Sequence, residues 1–529
     1  MQTLEPKKTG RFIVNPATGE SIAEILEHPR EIVPMLVQKA KVAQEEWAKT
    51  SYKEREHLAR EAAHRIHQKA SQIAHTISIC TGKTPTEALV TEVIPAALAC
   101  LYYARRVPKI LRPKRLPCSS LLFANKKSVL YRVPYGVVGI ISPWNYPFAI
   151  PMHELVTALL TGNGVVLKVA TQAQPVGEEI ATLLQEAGFP RGLFHLVHLP
   201  GSEAGSALLE SGIGKLFFTG STETGKLLMQ EAGKQLIPVS LELGGNDAML
   251  VLTDAPLQRA AAGAVWAGVS NCGQSCGGVE RIYVEKPVYS TFLELLRKEV
   301  KSLRQGTGSL DLDFGSLTTE EQKRKVEAQV QEALARGARM IETSSPPKEL
   351  SLINLFYPAQ ILEVTTDNLS LMQEETFGPV LAVCPVESVE EAIQRANATR
   401  FGLTASVWSS SKQRAHEVAS QLQAGVVTIN DHLLSHGMPE TPWGGFHQSG
   451  IGRTHGDAGI EEMTQLKVVV WERLPWLKRN IFWQPVDASV YKGMLAGLTY
   501  IAGKGLGTRL RGIRVLTRWV IKRLRSNPE

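Results

Sequence analysis

A chain of 529 residues, 43% hydrophobic and 21% charged, is long enough for two or more lobes and has an ordinary globular composition. Six irregularly spaced cysteines argue against a disulfide framework, and Cys272 and Cys276 lack the second close pair of a zinc site, so no metal is expected. The net charge of +7 is uneven: residues 473–529 hold twelve Lys/Arg and two acids, a balance of +10, which leaves the other 472 residues at −3.

Met1-Gln2-Thr3-Leu4-Glu5-Pro6-Lys7-Lys8 has no apolar h-region, so no signal peptide is expected. No run reaches the roughly 18 apolar residues of a spanning helix. A cytoplasmic location follows as the expectation. Residues 10–28 read as a strand pair, and apolar residues three and four apart predict helices over 30–48, 52–79 and 86–110. Residues 119–133 read as two paired strands around Asn125-Lys126-Lys127. From Gly136 the texture changes. The apolar run 136–142 reads as a buried parallel strand. Strands at 165–168, 193–198, 215–218 and 237–243 then alternate with helices at 148–160, 176–187, 202–210 and 222–233. This predicts an open parallel α/β sheet with helices on both faces and sites at the carboxyl ends of its strands. A second α/β series runs from Ala248 to about Asn430, with strands 248–252, 282–284, 379–385 and 426–430 and helices 256–268, 288–304, 319–336 and 388–397. Residues 465–471 form an extended run that could pair with 119–133 or with another subunit.

Several segments at strand ends carry chemistry. Ser142-Pro143-Trp144-Asn145 follows a buried strand; the Asn145 amide suits an oxyanion and Trp144 a pocket wall. Lys168 ends the next strand, within reach of a ribose or phosphate. Phe218-Thr219-Gly220-Ser221-Thr222-Glu223-Thr224-Gly225-Lys226 is a strand-to-helix turn whose free N–H groups suit a pyrophosphate, with Ser221 as cap. Its spacing imitates a P-loop, but Leu227 stands where Mg²⁺ needs Ser or Thr. Glu242, at the end of an apolar strand, suits a general base with a raised pKa. Cys276, in Gly273-Gln274-Ser275-Cys276-Gly277-Gly278, is a candidate nucleophile, although an isolated cysteine is more often a small buried hydrophobe. Cys272 is expected to line the same pocket. Glu375 and Phe377, in Glu374-Glu375-Thr376-Phe377-Gly378-Pro379, suit ribose hydroxyls and an aromatic face. The Gly-rich loop 442–453 is expected on the substrate side.

In this order and spacing the segments resemble the NAD(P)-dependent aldehyde dehydrogenase superfamily, over roughly residues 10–472. The resemblance implies two α/β lobes, a Rossmann-like cofactor domain (1–118 and 139–245) and a catalytic domain (246–440). A β oligomerisation arm (119–138 and 457–472) would build homodimers or homotetramers, and a C-terminal helical tail (473–529) would follow. It implies that an aldehyde is oxidised to its acid through Cys276, with the oxyanion held by Asn145 and the thioester hydrolysed by water that Glu242 activates. The cofactor, NAD or NADP, would lie on Trp144, Lys168, Gly220, Ser221, Gly225, Glu375 and Phe377. Three positions depart from the family pattern. Thr171, in Lys168-Val169-Ala170-Thr171, replaces an acid that would bind ribose hydroxyls and repel a 2′-phosphate, which makes NADP use an expectation. Asn246 and His447 each replace a common Lys.

The tail is an addition to that pattern. From residue 509, Leu510, Ile513, Leu516, Val520 and Leu524 fall on one helix face, and Arg511, Arg514, Arg518, Lys522 and Arg525 on the other. With Trp476, Phe482 and Trp483 nearby, residues 476–529 read as an element peripheral to an anionic membrane surface, or else as a helix packed on the enzyme. No nucleic-acid partner is expected. A membrane-bound enzyme would suit an aliphatic, apolar aldehyde. The alternatives are a small polar semialdehyde as substrate, or acyl transfer to CoA, which Glu242 argues against.

Overall fold

The computed structural model describes residues 6–347, 355–477 and 480–525. The signal-peptide reading rests largely on residues 1–5, which lie outside the described residues. Two compact units form: Met1–Ile110 with Pro134–Gln465, and Leu111–Val133 with Leu466–Glu529.

The first unit holds two large sheets and an antiparallel strand pair, Lys7–Val14 with Ser21–Glu27, as expected for residues 10–28. One contains Val137–Ile141 (β1), Gly164–Lys168 (β2), Phe194–Leu196 (β3), Lys215–Thr219 (β4) and Val239–Glu242 (β5). The other contains Asp247–Val251 (β6), Val279–Glu285 (β7), Arg339–Thr343 (β8), Gln360–Glu363 (β9), Val380–Val386 (β10), Thr404–Trp408 (β11) and Val426–Ile429 (β12). A two-residue strand, Gly450–Ile451 (β13), completes the first sheet, whose order is β13-β5-β4-β1-β2-β3. The second sheet runs β8-β9-β10-β7-β6-β11-β12. All pairings in these two large sheets are parallel except at the edges, where β13 runs against β5 and β8 against β9. β1, β2 and β4 are buried along their whole length, as their unbroken apolar runs require. The series therefore alternates as expected, with helices such as Ala149–Leu160 (α1), Thr222–Gln235 (α2) and Leu257–Val269 (α3) in the crossovers.

The structure corrects several elements. Strands β8, β9 and β11 are additional. β8 is exposed at the sheet edge, so it lacks the apolar run that marks a buried strand. The helix expected over 52–79 is two helices, Tyr52–Gln68 and Ala70–Thr81, because Lys69 leaves helical geometry. Pro85–Ile110 is helical, interrupted by a π turn at Leu89–Val93 that carries the fully buried Glu92. This stretch is long and apolar enough to cross a membrane, but 56% of its most apolar window is buried inside the fold.

In the second unit, the three-stranded sheet orders Thr464–Glu472, Lys126–Pro134 and Lys114–Leu116 side by side. The hairpin partner of Lys126–Pro134 is thus 114–116, not 119–124. Leu121–Phe123 is instead a single 3₁₀ turn, and Leu122 packs on the helices of the tail. Those helices are Ala488–Ala502 (α4) and Leu506–Arg525 (α5). Residues 491–507 are Gly-rich, yet most of them form α4. The glycines serve contact: a Cβ on Gly493 would stand 2.0 Å from Trp519 Cδ2, and one on Gly512 would stand 2.6 Å from the Tyr500 N. The buried stripe of α5 is also rotated from the one expected. Gly512, Leu516, Trp519 and Arg523 are buried, Ile513, Val520 and Leu524 are half-buried, and Leu510 is exposed. Arg523 is tolerated there because its guanidinium donates to the Trp483 and Pro485 carbonyls. The Arg525 side chain lies outside the described residues.

Replacing Gly493 with Val should force α4 and α5 apart, at about 1–3 kcal/mol for overpacking. Hydrogen exchange over 488–525 should accelerate while the rest of the chain keeps its protection.

Candidate active site

The carboxyl ends of β1, β4 and β5 converge on a cavity of about 500 Å³. Trp144, Asn145, Gly220, Ser221, Glu242, Cys276, Glu375 and Phe377 all line it. Eight of the ten expected site residues therefore come together. Lys168 ends β2 and Gly225 lies inside α2; neither is on the cavity wall. Lys168 is 6% exposed, and burial pulls its pKa down to about 8. Gly225 permits close packing instead, since a Cβ there would lie 2.6 Å from Leu243.

Cys276 sits in a loop built by a polar framework. A buried ion pair, Lys83 Nζ to Glu92 Oε1 at 2.6 Å, has both side chains fully inside. Lys83 also donates to the Asn145 carbonyl at 2.8 Å. Glu92 Oε2 accepts from the Phe148 N–H at 2.7 Å and the Ala149 N–H at 3.3 Å, at the start of α1. The Asn271 amide donates to the carbonyls of Asn145 (2.9 Å) and Gln274 (3.0 Å), and the Asn145 amide donates to that same Gln274 carbonyl at 3.0 Å. Asn271 and Cys272 both have φ of 54°, a left-handed geometry that the bond from the Asn271 N–H to Glu87 helps hold. Cys272 is fully buried, so it does not line the cavity: its Sγ lies 3.9 Å from the Tyr357 carbonyl. Burial pushes the Cys276 thiol upward, and Glu375, Asp247 and Glu242 add to the shift.

Glu242 is buried, and neither carboxylate oxygen has a protein partner. Burial raises its pKa well above the usual range, and Glu154 raises it further. Glu154, on α1, is itself pushed to about 8 by burial. The two share, with Cys276, a second cavity of about 20 Å³, room for roughly one water. Ile150, His436, Trp443 and His455 also line this space. Burial keeps the histidines neutral, with His436 pulled down to about 4 and His455 well below the usual imidazole range. Strand β13 pins the Gly-rich loop to Glu242 by pairing Gly450 with Glu242 and Ile451 with Leu241. Gly444 must be Gly here: a Cβ would stand 2.9 Å from Glu242 Oε1, and its φ is 143°.

On the other wall, Glu375 Oε1 accepts from the Gly245 N–H at 3.2 Å, and Trp144 meets Phe377 edge-on at 5.6 Å. Phe377, with φ of 56°, is held by its N–H bond to buried Glu280 at 2.8 Å. The Asn246 amide donates to Glu280 (3.0 Å) and to the Glu374 carbonyl (2.7 Å), so the residue in place of the common Lys braces the Glu375–Phe377 segment. His447, in contrast, is an exposed loop residue beside Gln423. Ser221 caps α2 as expected, accepting from the Thr224 N–H at 3.3 Å. Thr171 opens a short 3₁₀ turn directly after β2. Among the described residues, no group of three or more His, Cys, Asp or Glu is arranged to hold a metal.

A family model, aldehyde dehydrogenase family, matches residues 5–469. The chain belongs to the aldehyde dehydrogenase family. Among curated relatives, a Mycolicibacterium smegmatis protein provisionally named a succinate-semialdehyde dehydrogenase [NADP(+)] is 39% identical over 86% of this chain and 88% of its own. A Methylomonas protein named 4,4'-diapolycopene aldehyde oxidase is 39% identical over 82% of this chain and 80% of its own. The NAD+ complex of a Bacillus cereus aldehyde dehydrogenase superposes with a TM-score of 0.82 at 33% identity, covering 89% of this chain and 94% of that one. As a member, this aldehyde dehydrogenase is an oxidoreductase acting on aldehydes, built on the α/β fold described above.

The motifs omit Lys83, Glu87, Glu92, Glu154 and Glu280. Glu92 and Glu154 had a signal: each is an acid inside an otherwise apolar helical run, which is expensive unless the structure uses it. Lys83→Met should leave Glu92 buried and unpaired, costing about 3–5 kcal/mol in urea unfolding. Adding Glu92→Gln should recover part of the loss, because the neutral amide still accepts from the start of α1.

Proposed function

We propose that this enzyme oxidises an apolar, aliphatic aldehyde to its carboxylic acid with NAD or NADP. The observation that carries the reading is the convergence of Cys276, Glu242 and Asn145 on one cavity beside the N-terminus of α2. The Cys276 thiol gives its proton to Glu242, and Sγ bonds to the aldehyde carbon as the C=O π electrons move onto oxygen. The oxygen that becomes negative is held by the Cys276 backbone N–H and by the Asn145 amide, which uses one N–H on Gln274 and has a second to offer. The dinucleotide, when bound, supplies the hydride acceptor, leaving the acyl group on Cys276 as a thioester. Glu242, unpartnered in its cavity, takes a proton from the water that attacks the thioester. The carbon–sulfur bond then breaks and releases the acid.

The cavity suits the dinucleotide. Ser221 and Gly220 stand at the positive end of α2, where they would hold the pyrophosphate, and Lys168 at the end of β2 would hold the adenosine ribose. The carboxylate of Glu375 faces Gly244, where a Cβ would come within 3.0 Å of it, and is assigned to ribose hydroxyls. Trp144 and Phe377, which meet edge-on in the cavity wall, would flank the nicotinamide ring. Trp443, Ile150 and neutral histidines behind Cys276 favour an apolar substrate, in line with the relative named a diapolycopene aldehyde oxidase. The relative named for succinate semialdehyde supports a small polar alternative. A free acid on the substrate would need a cation: Arg453 beside Glu242 is bonded to the Gly445 and Gly452 carbonyls, and Lys325 lies on the cavity wall beside Glu375, on the side assigned to the cofactor. The strand Thr464–Glu472 exposes Leu466, Val468 and Val470 along its edge, which supports self-association into dimers or tetramers.

Cys276→Ala should abolish turnover, whereas Glu242→Gln should keep the first burst of reduced cofactor and lower steady turnover by about 10²–10⁴-fold. Glu154→Gln removes a like charge, so the Glu242 pKa falls and the ascending limb of the kcat–pH profile moves to lower pH. An unmoved limb would count against that coupling. With Thr171 in place of an acid, kcat/KM for NADP should lie within about tenfold of that for NAD, checked on a panel of aldehydes graded by length.

A further inference from the structure

The tail hairpin presents a surface that the chemistry above does not use. One face of α4, with Val490, Gly493 and Ala496, packs on α5. The opposite face carries Tyr491, Leu495 and Leu498, three and four residues apart. These are 72%, 50% and 57% exposed, with Ile501 beside them. Such a stripe is the pattern of a buried helix face, yet among the described residues of the second unit nothing covers it. Trp476, Trp483 and Val486, just before α4, are exposed as well.

Charge singles out the occupant. Residues 488–525 contain nine cations, three Lys (Lys492, Lys504 and Lys522) and six Arg, and not one Asp or Glu. A second copy of the chain meeting the same face would bring like charge to like charge. A nucleic acid would match the charge and leave the aliphatic stripe in water. An anionic bilayer satisfies both: phosphate headgroups meet the Lys and Arg side chains, Leu and Tyr enter the acyl boundary, and Trp prefers that interface.

We propose that α4 is a membrane-interfacial helix, docking this enzyme on anionic lipid through the face of Tyr491, Leu495 and Leu498, while α5 braces it from behind and supplies cations. This moves the membrane-facing element from α5, where the sequence pattern alone would put it, to α4. The apolar stripe of α5, Leu510 apart, is turned inward, with Leu516 and Trp519 packed on α4.

The test is flotation of the full-length protein with phosphatidylcholine vesicles, with and without phosphatidylglycerol, at low and high salt. Full-length protein should float with the anionic vesicles and be released in part by salt. Leu495→Glu/Leu498→Glu should reduce flotation by roughly tenfold or more, with turnover of a short soluble aldehyde unchanged as the control for folding. Equal flotation of both proteins, or of neither, overturns the proposal. So does a change in oligomeric state of the variant by light scattering without any vesicle binding, which would make the face a contact between copies. Retention of the full-length protein on nucleic acid but not on vesicles would do the same.

Discussion

The loop that carries Cys276 depends on one buried interaction, the ion pair of Lys83 and Glu92. Two charges removed from water are stable only when every remaining donor and acceptor is used. Here those surplus bonds are the architecture. The ammonium takes the Asn145 carbonyl, and the carboxylate takes the two N–H groups at the start of α1. Through Asn271 and Gln274 the same network reaches the loop that carries Cys276. The π turn that holds Glu92 and the left-handed residues Asn271 and Cys272 are local costs borne by this arrangement.

Around that frame, burial sets the chemistry. Cys276, Glu242, Glu154, Asp247 and Glu280 all have their pKa raised by desolvation, so the site accumulates groups that resist ionisation. Their differences lie in partners. Asp247 is bonded by Thr404 and Glu280 by the N–H groups of Thr376 and Phe377, which makes them structural. Glu242 has no partner, and its nearest acid shares a water-sized space with it. A lone, desolvated carboxylate beside a thiol is disposed to exchange protons rather than to hold a fold together.

Glycines mark where backbones must approach this machinery. Gly273 lies against Gly378, Gly245 against the Cys276 carbonyl, and Gly444 against Glu242; in each case an added Cβ would come closer than 3 Å to a backbone atom or to the Glu242 carboxylate. The Gly-rich motifs are therefore contact surfaces between the two α/β halves of the first unit as much as turns. The same device recurs in the tail, where Gly493 and Gly512 let α4 and α5 touch.

The sequence by itself determined the alternating α/β order, because unbroken apolar runs bury only as parallel strands between helices. It also determined the residues that line the cavity, because Trp144, Asn145, Gly220, Ser221, Glu242 and Cys276 each sit in a strand-end or Gly-rich segment with a recognisable chemical purpose. Those are local properties. Tertiary structure alone decided the rest. Lys83 and Glu92 become a framework only when three distant bonds meet them, and Glu154 becomes the neighbour of Glu242 only when α1 crosses the sheet. Cys272 leaves the pocket because a left-handed turn carries its sulfur into the core. Asn246 acquires its purpose from Glu280, thirty-four residues away. In the tail, periodicity established that a helix exists but not which face it buries, since that depends on the Gly-lined helix it meets. Pairings remote in sequence carry no local pattern, and only the folded chain makes them visible.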